Sequence, residues 1–142
     1  MPSDSDTVVA STNWLRRLVG IFIGFTPLAL LTVSLIVGIA RDTDVFFDGM
    51  GFIGAAALIA GCNTFLSFVR PAIFRRRHGT MDGYRNVSGI PLIGTLLLCV
   101  GTLTGFGAVG SAAIGIAAFV LDTGGAGWLV IATWRDGSFW DK

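Results

Sequence analysis

Long apolar runs alternate with short charged stretches along this chain, and the alternation predicts its elements. Residues 1–13 are polar, carry Asp4 and Asp6, and read as a flexible cytoplasmic tail. After Arg16 and Arg17, residues 18–40 run for 23 positions without a charge. As a helix that run measures about 35 Å, enough for a first span. Gly38-Ile39-Ala40 has the form of a leader cleavage site. A leader's apolar region is only about 7–15 residues, however, so a retained helix is the expectation. Residues 41–48, RDTDVFFD, make a short loop, and 49–69 form a second charge-free run of 21 residues. Residues 70–89 follow as the longest loop, with Arg70, Arg75, Arg76, Arg77, Arg85 and His78 against Asp82 alone.

From 90 to 134 the only charge is Asp122. That length suits two spans, about 90–107 and 111–135, and Gly105, Gly107, Gly110 and Ser111 suit the turn between them. Pro91 fits the first turn of span three, where its missing N–H costs nothing. Residues 136–142 remain as a second tail. The expectation is an all-α, integral membrane four-helix bundle, with residues 14–135 as a single membrane domain.

Charge placement adds an orientation. Nine of the ten Arg and Lys residues fall on the side that holds 1–17, 70–89 and 135–142; only Arg41 falls on the other. The positive-inside rule makes the basic side cytoplasmic, with both termini inside. Trp14, Trp134 and Trp140 then sit near the inner interface, and Phe46 and Phe47 near the outer one. Composition agrees: 53% hydrophobic, 13% charged, mean hydropathy +0.75. A soluble domain carries about 25% charged residues. A soluble enzyme domain and a disordered chain are both excluded on these grounds. A net charge of +1 argues against nucleic-acid binding. Cys62 and Cys99 lie in apolar runs, with neither disulfide nor metal spacing.

Asp122, within VLDTGGAGW, is the charge that needs its own explanation. It falls near mid-depth of span four, where a charge costs about 2.5–3.5 kcal/mol. Two readings stand side by side. Asp122, with Thr123, Gly124 and Gly125 after it, interrupts the fourth helix and caps a second half-helix over 125–135. Or it is a proton or cation site, since burial favours the neutral carboxyl and broken helices build transport sites. Thr26, beside the helix-kinking Pro27, and Thr102 lie at similar predicted depth, and with Thr123 they complete a candidate intramembrane polar site. Asn63, Thr64 and Ser67 in span two are expected to bond between helices.

Other motifs carry less. Gly20-x-x-x-Gly24 and Gly101-x-x-x-Gly105 suit close helix packing within the bundle. GFGAVG at 105–110 has the letters of a dinucleotide fingerprint but lacks the strand before it and the acid about 20 residues on. The run FRRRHG puts Arg75, Arg76 and Arg77 beside a span, to contact anionic headgroups or an acidic partner. His78 has no second catalytic or ligating group near it and reads as solvated. Asn86-Val87-Ser88 is a glycosylation sequon on the side glycosylation does not reach. No catalytic set, metal cluster or cofactor motif can be assembled, so an enzyme is not expected.

Three strings, FLSFVRP at 65–71, NVSGIPLIG at 86–94 and LDTGG at 121–125, resemble a family of small bacterial four-span inner-membrane proteins with no established activity. The resemblance implies location in the bacterial inner membrane and this architecture. The functional expectation is a non-enzymatic protein acting through contact with a protein partner or its own copies, of accessory or toxin-immunity type. A small oligomeric transporter or proton pathway using Asp122 is the alternative. Exporters of the small multidrug-resistance type match in size but rely on a glutamate in span one, and this chain has no glutamate.

Overall fold

The computed structural model describes residues 13–42, 47–85, 87 and 89–140. Residues 1–12, Phe46, Asn86, Ser88 and Lys142 lie outside the described residues, and so do the expectations placed on them. Regular structure among the described residues is helical throughout. Helix α1, Trp14–Arg41, opens where the Asn13 side chain accepts from the Arg16 N–H at 3.2 Å. It runs as one helix through Pro27 and closes at Asp42 in the left-handed region. Helix α2, Met50–Thr64, continues through a π-helical turn, Phe65–Val69, into α3, Arg70–His78. Pro71 accounts for the π turn. Its ring cannot donate to the carbonyl four residues back and crowds it, and a wider turn absorbs the mismatch without ending the helix. The basic stretch predicted as a loop is thus helical as far as His78, where Gly79 caps it at φ 74°.

Helix α4 is Ile93–Thr104, α5 is Val109–Leu121, α6 is Ala126–Thr133 and α7 is the short Gly137–Trp140. Three stretches are long and apolar enough to cross a membrane: Trp14–Arg41, Met50–His78, and Val109–Thr133 counted through its break. Large apolar side chains also point outward, Phe22 at 74% and Leu58 at 75% exposed, as a lipid-covered surface requires. The chain is a membrane protein on these grounds.

Helix α4 is shorter than the predicted third span. Helix α4 has 12 residues, about 18 Å, against a hydrocarbon core of about 30 Å. It is a half-length helix entered from irregular chain, described at 79–85 and 89–92. Apolar patterning cannot separate helix from buried irregular backbone, and Ile90-Pro91-Leu92 is apolar without being helical. The turn after α4 uses Gly105 and Gly107, whereas Gly110 and Ser111 already belong to α5.

α2 packs against α4 and α5, and α1 against α5 and α6. Their shared core is Leu31, Ile53, Ala56, Ala60, Leu98, Ala118 and Phe119. Both small-residue motifs pack inside this bundle: Gly24 faces Ala126 and Val130, Gly20 faces the Trp140 ring, and Gly101 faces Ile53. Part of the second tail packs onto the bundle. Trp140 is 5% exposed, and its Nε1 donates to the Thr133 carbonyl at 2.7 Å. Arg17 donates to the Trp134 carbonyl at 2.8 Å and lies 5.4 Å over that ring. Trp134 and Trp140 therefore pack beside the start of α1, at the end of the molecule toward which the α2 stretch runs into α3, the basic end.

Candidate functional site

The break in the long C-terminal stretch falls at 122–125, and every loose backbone group there needs a partner if the region is shielded from water. The sequence supplies them one at a time. Asp122 N–H donates to the Ala118 carbonyl at 2.9 Å, and Gly125 N–H to the Asp122 carbonyl at 2.9 Å. The Thr64 hydroxyl donates to the Leu121 carbonyl. Trp128 Nε1 donates to the Val120 carbonyl at 2.9 Å. Leu92 N–H donates to the Gly124 carbonyl at 3.3 Å. Ala126 N–H, at the start of α6, donates to Thr95 Oγ1 on α4 at 3.0 Å.

Asp122 does not cap α6, as one reading expected; Thr95 does so from another helix. Asp122 instead ends α5. Its side chain turns back into the bundle and is 2% exposed. Asn63 Nδ2 donates to Asp122 Oδ1 at 2.6 Å, and Gly124 N–H donates to the same oxygen at 3.3 Å. Asn63 is itself 1% exposed. It also accepts from Ile90 N–H at 2.9 Å and donates to the Ile90 carbonyl at 3.2 Å. One asparagine thus holds the Asp122 carboxyl and both backbone groups of a residue just before α4.

The second carboxyl oxygen, Oδ2, has no hydrogen-bond partner among the described residues. It lies over Gly94 and Gly125; a Cβ on Gly125 would stand 2.8 Å from it, and one on Gly94 would be closer still. Both glycines make the room this oxygen occupies. Beside the cluster is a cleft of about 170 Å³ lined by Asn63, Ser67, Gly89, Pro91, Thr123 and Gly124. Ser67 and Thr123 meet across it, hydroxyl to hydroxyl, at 2.9 Å.

The structure therefore brings Asp122 and Thr123 to one site, but not Thr26 or Thr102. Thr26 donates to the Phe22 carbonyl of its own helix. Thr102 donates to the Leu98 carbonyl at 2.6 Å, also within its own helix. Thr102 sits nine residues above Ile93, about 14 Å along α4, because that helix starts at the level of Asp122 rather than crossing past it. The partners that matter are Asn63, Thr64 and Ser67 of the α2 stretch, together with Thr95. The first three stood out as polar residues in an apolar run, but nothing in the sequence paired them with position 122.

A dry layer separates this cluster from the far end. Leu31, Ile53, Ala56, Leu98 and Ala118 are each 3% exposed or less. Beyond them Gly107 N–H donates to Ser34 Oγ at 2.9 Å. Toward the basic end, Arg75, Arg76 and Arg77 are exposed on α3. His78 is not simply solvated: its ring stacks on Phe74 at 4.2 Å. Among the described residues no three His, Cys, Asp or Glu side chains cluster as a metal site would.

Comparison with protein-family models, with curated proteins and with solved structures yields no match to this chain.

Proposed function

We propose that this is a non-enzymatic, multi-pass protein of the bacterial inner membrane, with its basic end in the cytoplasm, that acts by contact with an acidic protein partner. The observation that carries the reading is α3. It prolongs the α2 stretch beyond the apolar run as a helix, so its arginines form a fixed face rather than a loose loop. Arg75 and Arg76 lie exposed on one side of it, with Pro71, Ala72 and Met81. Neither has an ion-pair partner among the described residues. An accessory or toxin-immunity protein needs such a presented surface, and complementary charge steers its partner and sets specificity.

A photo-crosslinking amino acid at position 76, irradiated in native membranes, tests the proposal. The expected result is one discrete protein adduct that disappears when the charges of that face are removed, position 76 already carrying the crosslinker, by Arg75→Gln. Equal adducts with and without those charges would contradict it.

The second reading, a proton or cation site, is favoured by the buried, unpartnered Asp122 Oδ2. It ranks second because the dry layer of Leu31, Ile53 and Leu98 closes the route to the far end. In proteoliposomes the expected result is no proton or potassium flux above empty vesicles. Flux that Asp122→Asn abolishes would reverse the ranking.

A further inference from the structure

The opposite face of α3 is built differently from the Arg75 and Arg76 face. Residues 70, 73, 74 and 77 fall on one side of a helix by their spacing of three and four. Here they meet the returning chain at Gly83, Tyr84 and Arg85 and enclose a groove of about 620 Å³. That is within the range of pockets that take a small ligand. Three guanidinium groups line it, from Arg70, Arg77 and Arg85, and no acidic residue does. None of the three has an ion-pair partner among the described residues. The aromatic wall fixes one of them: Arg70 lies 5.5 Å over the Tyr84 ring, which packs on Phe74 at 5.0 Å. Phe74 in turn stacks on His78 at 4.2 Å.

The groove also has a direction. Counting from Met50 at 1.5 Å per residue, Arg70 lies about 30 Å along the helix, at the edge of the hydrocarbon if α2 crosses a bilayer. Phe65, at the lower end of the groove, lies about one and a half turns deeper, in the acyl region. Arg77 and Arg85 lie on the headgroup side. A cationic, aromatic-walled pocket that grades into an apolar floor at this depth matches one molecule better than any soluble anion.

We infer that this groove binds the phosphate of an anionic glycerophospholipid. Arg70, Arg77 and Arg85 contact the headgroup, and Phe65 and Ile73 lie along an acyl chain. Guanidinium groups are suited to this role because their planar forks bond phosphate oxygens in pairs. The inference needs only that α2 crosses a bilayer, not that Arg75 and Arg76 meet a protein partner.

Native mass spectrometry of the full chain, released from nanodiscs of mixed phosphatidylglycerol and phosphatidylcholine, tests it. The expected result is retention of phosphatidylglycerol in preference to phosphatidylcholine. Arg70→Gln and Arg85→Gln should each weaken that preference about fivefold, the equivalent of about 1 kcal/mol per charge near the surface. Arg75→Gln with Arg76→Gln should leave it unchanged. Arg85 lies outside the helices, so its variant reports on the groove without testing helix stability. Equal retention of the two lipids, an equal loss in the Arg75 and Arg76 variant, or displacement of the lipid by millimolar inorganic phosphate would overturn the inference.

Discussion

Asp122 is held by Asn63 rather than by a cation, and this decides what substitutions there should do. Replacing Asp122 with Asn keeps an acceptor for the Asn63 amide and the Gly124 N–H and exchanges the unpartnered oxygen for an equally unpartnered amide NH2 of the same size. The expected change in the thermal midpoint of the detergent-solubilised protein is small, equivalent to less than about 1 kcal/mol. Asn63→Ala should cost more, about 3 kcal/mol. It strips the buried carboxyl of its closest partner, at about 1–3 kcal/mol for a buried group left unpaired, and frees the part-buried N–H and carbonyl of Ile90 at a smaller cost. Equal effects of the two substitutions would show that Asn63 is not the organising residue. At this scale the sequence was half legible. Asp122 announced itself as one charge among 45 residues. Its partner lies 59 positions away, and spacing within a chain says nothing about which helices become neighbours. Thr26 and Thr102 were grouped with it by estimated depth alone. Depth does not fix facing, and both hydroxyls turn back onto their own helices.

Among the elements, the break between α5 and α6 could be read from Asp-Thr-Gly-Gly, since adjacent glycines weaken a helix and aspartate favours its ends. The half-length of α4 could not, because hydrophobicity reports burial and not backbone geometry. Nor could the helical state of α3, whose dense charge looks like a solvated loop. Its helix is inherited from α2 across the π turn. The element account also makes α6 depend on α4 for its cap. Thr95→Val keeps the shape and removes the acceptor for the Ala126 N–H. It should lower stability by about 1–2 kcal/mol and speed amide hydrogen exchange over residues 126–129. Unchanged exchange there would mean that the first turn of α6 is held by something other than Thr95.

For the whole molecule, the polar chemistry is unevenly distributed. The Asp122 cluster, its cleft, the arginine faces of α3 and the tryptophans all lie between mid-length and the basic end, while the dry layer above closes the bundle. This distribution is what supports the proposed contact surface over the proposed solute path. Charge counting along the sequence points the same way, since nine of ten basic residues fall on one side of the predicted spans. The proposed contact with a cytoplasmic partner depends on that side being the cytoplasmic one. Single cysteines at Asp48 and Thr80, in a background with Cys62 and Cys99 replaced, measure this directly with an impermeant maleimide on intact cells and on permeabilised ones. Labelling at position 48 in intact cells and at position 80 only after permeabilisation is the result expected. Labelling of both from the same side, or the reverse pattern, would contradict a membrane bundle with its basic end in the cytoplasm.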